Sequence, residues 1–314
     1  MSSDKTVHGT WRRGLLTLLV LAGTCNHVVV CAQAPPPPRT RVVLLGTGTP
    51  NADPERMGPC VAVVVDDTPY LVDAGTGLVR RAAEARRRGV KGLAMARLDI
   101  VFLTHLHSDH TLGLPDLWLT PWILERTAPL RIYGPTGTRR LTDHMHAAWQ
   151  ADIRIRLDGL EPANDTGYRL AVTEIDAGMV FRDERVTVEA IPVRHGGWDK
   201  AFGYRFVTPD RTIVISGDTV PVDSLVEKAR GCDILVHEVY SAEAFQRRPV
   251  EWQRYHAASH TSTTQLADIA ARVRPGLLIL YHQLYWGQTD EGLLKEITAR
   301  YDGKVVSSRD LDVF

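Results

Sequence analysis

The stretch FLTHLHSDHTLGLPDLW, residues 102–118, sets His105, His107, Asp109 and His110 within six positions. Imidazole and carboxylate are the nitrogen and oxygen donors that a zinc-like divalent ion prefers. The apolar run before them, LDIVFLT (98–104), reads as a buried strand. Side chains two apart on a strand project the same way, so His105 and His107 face together, with Asp109 in line and His110 turned aside. One pair then serves one metal and the other pair a second. A lone histidine at a strand end is usually just hydrogen-bonded. Four metal-capable side chains spaced His-x-His-x-Asp-His are a far rarer pattern and point to a metal site.

Six residues cannot close two metal shells, so further donors are expected at the ends of other strands. Three candidates stand there: His195 after VEAIPVR, Asp218 in GDT after TIVIS, and His282 after LLILY. Each taken singly reads as a turn cap or a satisfied buried histidine. Taken with the cluster they read as parts of one site.

The elements that must position these residues follow from the hydrophobic pattern. Strands are expected at 41–46, 61–65, 70–75, 98–104 and 131–135, with Asp66-Asp67 at a turn. Helical periods cover 76–89 and 137–151. Several short strands fill 165–215, and the last third alternates helix and strand. The fold class is α/β (α+β): two sheets packed face to face with helices outside.

The formal net charge of zero shows no basic excess that would advertise nucleic acid, though it leaves room for a local patch. Residues 1–34, with Arg12-Arg13 before an apolar run, read as a signal peptide, and 35–40 as a Pro-rich spacer before one domain over 41–314. The apolar run is broken by GTCNH, which argues against a stable transmembrane anchor. The protein is therefore expected to be exported, periplasmic or secreted. Of the four cysteines, Cys60 and Cys232 lie in the domain and read as separate buried residues.

On GTGTP, LVDAG, HLHSDH, RHGGWDKAFGYRF, ISGDT, LVHE, HTST and LYHQLYWG, the chain resembles the metallo-β-lactamase fold superfamily of dinuclear metal hydrolases. The resemblance implies a four-layer αββα sandwich with the metals at one edge of the paired sheets. It implies one metal on His105, His107 and His195, another on Asp109, His110 and His282, and Asp218 bridging them. Asp73 would orient a ligand. The segments GDT, HE and HTST are similar to the branch that holds ribonuclease Z and the zinc arylsulfatases. There His260 is an additional active-site histidine, backed by His237 and Glu238. The implied catalytic pair is Asp109, accepting a proton from the nucleophilic water, and His260, giving one to the leaving group.

Trp198 and Trp286 follow the candidate ligands closely and are candidate walls for an aryl or base group. Arg154 and Arg156 in ADIRIR either approach an anionic substrate or lie on a solvated strand face. Asp218 follows His195 by only 23 positions, too few for the long tRNA-clamping arm of ribonuclease Z enzymes. The expected function is thus an exported hydrolase of a small phosphodiester or sulfate ester, using two divalent ions, zinc first, with manganese or iron also suiting the ligands. A ribonuclease Z-type tRNA 3′-endonuclease is the alternative; a non-catalytic metal- or partner-binding protein is a second. The expected partner is a small-molecule ester, with nucleic acid disfavoured and a homodimer left open.

Overall fold

Runs such as VAVVV and TIVI carry no polar alternation, the signature of strands covered on both faces. A computed structural model describes residues 38–314 and places these runs in two central sheets. The expected signal peptide and the first half of the Pro-rich spacer lie outside the described residues. The first sheet has the order β1 (Thr40–Gly46), β2 (Cys60–Val65), β3 (Thr68–Val72), β4 (Ile100–Phe102), β5 (Leu130–Gly134) and β6 (Leu170–Glu174). The second comprises β7 (Gly178–Arg182), β8 (Thr187–Val193), β9 (Ala201–Val207), β10 (Thr212–Ile215), β11 (Ile234–Tyr240), β12 (Leu277–Leu284) and β13 (Val305–Ser307), ordered from β13 down to β7. In each sheet one half is an antiparallel meander and the other half is parallel.

Parallel neighbours need crossovers, and helices supply most of them. Over the first sheet lie α1 (Leu78–Arg87), α2 (Ser108–Thr111), α3 (Leu114–Ile123) and α4 (Thr138–Asp158). The second half carries α5 (Asp223–Ala229), α6 (Ala242–Phe245), α7 (Val250–Ser259), α8 (Thr263–Val273) and α9 (Asp290–Thr298). Three apolar layers result. Val42, Val63 and Phe102 of one sheet meet Tyr204, Ile213 and Val236 of the other. Leu71 and Val101 face Leu78 and Leu117 on one outer side; Leu235 and Leu278 face Leu266 and Leu293 on the other. This is the αββα sandwich that the family resemblance implies. Cys60 and Cys232 are separate, buried and unpaired.

Two local expectations are corrected. The helix expected over 137–151 runs on to Asp158, so Arg154 and Arg156 stand on a helix, not on a strand face. Arg156 is tied to Asp152, one turn back, and to Glu161, and takes no part in the site. The strand expected over 98–104 is hydrogen-bonded as a strand only at Ile100–Phe102, so the histidine cluster follows it in a loop.

Arg126 has no counterpart in the sequence reading. It is fully buried, and its guanidinium donates to the carbonyls of Leu98, Leu117, Trp118, Gly167 and Ala128 at 2.7–3.1 Å. It thereby ties the end of α3 to the loops around β5 and β6. Burial pulls it down to about 10. Arg126→Ala would leave these acceptors unpaired in a cavity and should lose at least about 3 kcal/mol in urea unfolding. Arg126→Lys should rescue little, because an ammonium cannot span the fork. A loss under about 1 kcal/mol would contradict this role.

Candidate metal centre

The strands of both sheets end along one edge, and the candidate donors hang from those ends. His105, His107, Asp109 and His110 follow β4; His195 follows β8; Asp218 follows β10; His282 lies in β12. His107 caps the start of α2 with extended backbone, and Asp109 and His110 fall within that short helix. The shared facing of His105 and His107 therefore comes from a loop, not from strand alternation.

His105 Nε2 and His195 Nε2 each lie 3.0 Å from His107 Nδ1. The outer nitrogens are held in place. His195 Nδ1–H donates to the Ser259 carbonyl at 2.7 Å, and His105 Nδ1 lies 2.9 Å from Thr104 Oγ1, whose hydroxyl is 3.0 Å from Asp73. A ring that donates outward presents a lone pair inward. Burial pulls His105, His107 and His195 down, so the rings are held neutral. Lone pairs crowded at this spacing repel unless a cation joins them.

Asp109, His110 and His282 form a second group. Asp109 Oδ2 is 3.3 Å from His282 Nε2 and 3.5 Å from His110 Nε2. His110 Nδ1–H donates to Asp73 Oδ2 at 2.8 Å, so this one buried carboxylate orients ligands in both groups. Between them stands Asp218 Oδ2, 3.5 Å from His110 Nε2, 3.6 Å from His282 Nε2 and 4.0 Å from His195 Nε2. His110 Nε2 and Asp218 Oδ1 are buried with no hydrogen-bond partner among the described residues. Burial opposes charge on His110, but Asp218 and Asp73 raise it well above the ordinary histidine value. A proton on that nitrogen occupies the place that a metal would take, and the two compete. The donor set and its unpaired atoms fit divalent metal.

The local backbone explains these positions. β11 and β12 pair in register up to Glu238 opposite Tyr281, then resume with Val239 opposite Gln283. His282 is the extra residue, with φ of 46°, and this bulge aims its ring into the site. Gly217, with φ of 60°, precedes Asp218; a Cβ there would lie 2.7 Å from the Phe202 carbonyl oxygen. Phe202 in turn donates its N–H to the Thr104 carbonyl at 2.9 Å, tying the two sheets together beneath the donors.

Glu238 is fully buried and accepts from the Thr261 and Thr219 N–H groups, while its other oxygen lies 3.4 Å from His260 Nδ1. His260 is also 3.8 Å from Asp218, and burial pulls it down to about 4. His237 does not join them. By strand alternation it shares the face of Leu235 and Val239, toward the helices, and its Nδ1 donates to the Glu238 carbonyl at 2.7 Å.

A cleft of about 540 Å³ opens over Asp109, Asp218, His260 and His282, walled by Arg248, Trp252, Tyr255, His256 and Trp286. Trp198 lies on the other side of His107, with ring centroids 5.2 Å apart, and lines a smaller recess. Trp118 and Trp122 are core residues, and Trp149 is partly exposed on α4. The wall from α7 was missed in the sequence. Its one signal, aromatics at 252 and 255 with His256 just before HTST, lacks a strong helical period.

The fold and donor set define a hydrolase of the metallo-β-lactamase fold. Residues 68–283 match the family described as "Beta-lactamase superfamily domain". The chain is 34% identical to a Mycobacterium bovis protein named Ribonuclease Z over 244 residues, covering 77% of this chain and 85% of that one. Human short-form tRNase Z superposes with a TM-score of 0.66 at 23% identity, covering 87% of this chain and 98% of that one. The metallo-β-lactamase fold protein YhfI of Bacillus subtilis gives 0.66 at 18% identity, covering 88% and 98%. The chain belongs to the beta-lactamase superfamily and, within it, to the ribonuclease Z family.

These relatives overturn the expectation of a small-molecule phosphodiester or sulfate ester hydrolase and the expectation that nucleic acid is disfavoured. The short span from His195 to Asp218 is no argument against a ribonuclease Z. A 244-residue alignment using 77% of this chain must cross that span, and it leaves the M. bovis protein no room for a long insertion there. A net charge of zero was an equally poor guide, because it averages over surfaces that never meet a substrate. The relatives' names also give no support to a signal peptide or to a secreted or periplasmic enzyme, and that expectation is withdrawn as a ground for choosing the substrate.

Asp73 touches the outer nitrogen of one donor directly and of another through Thr104. Asp73→Ala should therefore weaken metal binding about 10–100-fold while the far-ultraviolet dichroism stays native. Competition with a chromophoric chelator measures this; unchanged affinity would remove Asp73 from the site.

Proposed function

We propose that the protein is a metal-dependent endoribonuclease that cuts a phosphodiester at the 3′ side of tRNA precursors. The observation that carries this reading is the similarity to Ribonuclease Z over 85% of the M. bovis protein's length. The open cleft beside the donors supports it, since its cationic and aromatic wall suits a nucleotide strand.

In this reading His105, His107 and His195 would hold one divalent ion and Asp109, His110 and His282 another, with Asp218 lying within reach of both groups. Zinc suits this mixture of imidazole and carboxylate, as manganese or iron also would. Divalent ions held there would supply Lewis-acid chemistry, lowering the pKa of water and offsetting charge that builds on the phosphoryl oxygens. The chain's own residues do the rest. Asp73 and the Ser259 carbonyl fix the ring tautomers. Asp109 is placed to take a proton from the attacking water. His260, kept neutral by burial and steered by Glu238, offers an N–H to the leaving oxygen. Trp286 in the main cleft and Trp198 in the recess beside His107 offer aromatic faces to the RNA.

Metal-replete protein should remove the 3′ trailer from a tRNA precursor in vitro, with the cut mapped by end-labelling. His260→Ala should keep its metal and lose roughly 10²–10⁴ in turnover. Protein that turns over bis(p-nitrophenyl) phosphate yet leaves the precursor intact would contradict the reading.

A further inference from the structure

Arg248 lies in the link between α6 and α7, on the wall of the cleft that holds Asp109, Asp218 and His260. Its neighbour Arg247 pairs with Glu243 in the ordinary way. Among the described residues the Arg248 side chain pairs with no carboxylate and donates no hydrogen bond, and its Nε is buried without a partner. Two indoles position it instead. The guanidinium carbon sits 5.3 Å from the Trp286 ring centre and 5.9 Å from that of Trp252. Trp286 is itself packed 4.5 Å from His256, whose ring lies 5.4 Å from His260, so the cation is linked by rigid rings to the reacting end of the cleft.

Stacking on indoles steadies a guanidinium but does not neutralise it. A cation left unneutralised, with a planar fork that matches two phosphate oxygens, is built for an anion that arrives with the ligand. Trp252 is about half exposed beside it, a face on which a base can stack. A nucleotide strand presents both groups at once: a phosphate next to the scissile one, and a base attached to it.

We propose that Arg248 binds the phosphate adjacent to the scissile phosphodiester and so fixes the register of the RNA strand in the cleft. This rests on the ribonuclease reading above. It adds a positioning residue from the chain's own α6–α7 link to the metal-centred chemistry.

The test uses a synthetic acceptor-stem hairpin with a 3′ trailer and the metal-replete full chain. Arg248→Gln should raise KM at least tenfold with kcat within about threefold, and should flatten the salt dependence of kcat/KM by about 0.7 in log–log slope, the share of one single-strand phosphate. Arg247→Gln should change neither. Replacing each phosphate flanking the scissile one by a neutral methylphosphonate should find one position where wild type loses as much as the variant and the variant loses no more. Loss of kcat and KM together, or equal sensitivity of both proteins to every methylphosphonate, would overturn the assignment while leaving the ribonuclease reading intact. If wild type cleaves no RNA at all, the ribonuclease reading fails and this inference with it.

Discussion

A carboxylate enclosed by imidazoles is the constraint on which the rest of the molecule depends. Asp218 is buried at the meeting point of both donor groups, with nitrogens of His110, His282, His260 and His195 at 3.5–4.0 Å from one oxygen. Burial alone would push its carboxyl up, but His282 and His110 pull it well below the usual range. A charge so placed is tolerable only where positive groups surround it. That requirement explains the backbone nearby: the left-handed glycine before Asp218, the bulge that throws His282 inward, and the Phe202–Thr104 hydrogen bond beneath. The bulge is a local irregularity that the packed apolar layer between the sheets can hold.

The sandwich is well suited to this task. Its strands are short, covered on both sides and stiff, and they stop along one edge, so loops from both sheets converge there without long excursions. Asp73 shows the economy of the arrangement. Lying just past the end of β3 with φ of 63°, it reaches His110 directly and His105 through Thr104. Both donor groups thus share one support as well as one bridging residue. Around this fixed centre the walls differ in origin: Trp198 belongs to the loop after β8, whereas Arg248, Trp252 and Tyr255 come from the α6–α7 region. In the proposed reading, metal chemistry and strand recognition fall to separate parts of the chain.

Much of this was legible in the sequence because it is local. The run from His105 to His110 needs no fold to be recognised, and His195, Asp218 and His282 each follow an apolar run. The bulge at His282 was not legible, since it arises from pairing between β11 and β12. His237 and Glu238 looked alike as neighbours, but alternation sends only one of them toward His260. ADIRIR misled because isoleucine and arginine alternate with a period of two, while Asp152 and Arg156 pair one helical turn apart. Arg126 gave no signal, because its partners are carbonyls scattered from Leu98 to Gly167. The substrate was misjudged from global charge and from the length of one loop, whereas the feature suited to a strand is a single arginine between two indoles.

In the proposed reading both donor groups, joined through Asp218, act together on RNA. The most direct measurement is a titration of metal-free protein with zinc, with bound metal and precursor tRNA cleavage recorded on the same samples. Binding should reach two equivalents per chain, with activity rising chiefly with the second. Full activity at one equivalent, or two bound ions with no cleavage, would contradict that reading.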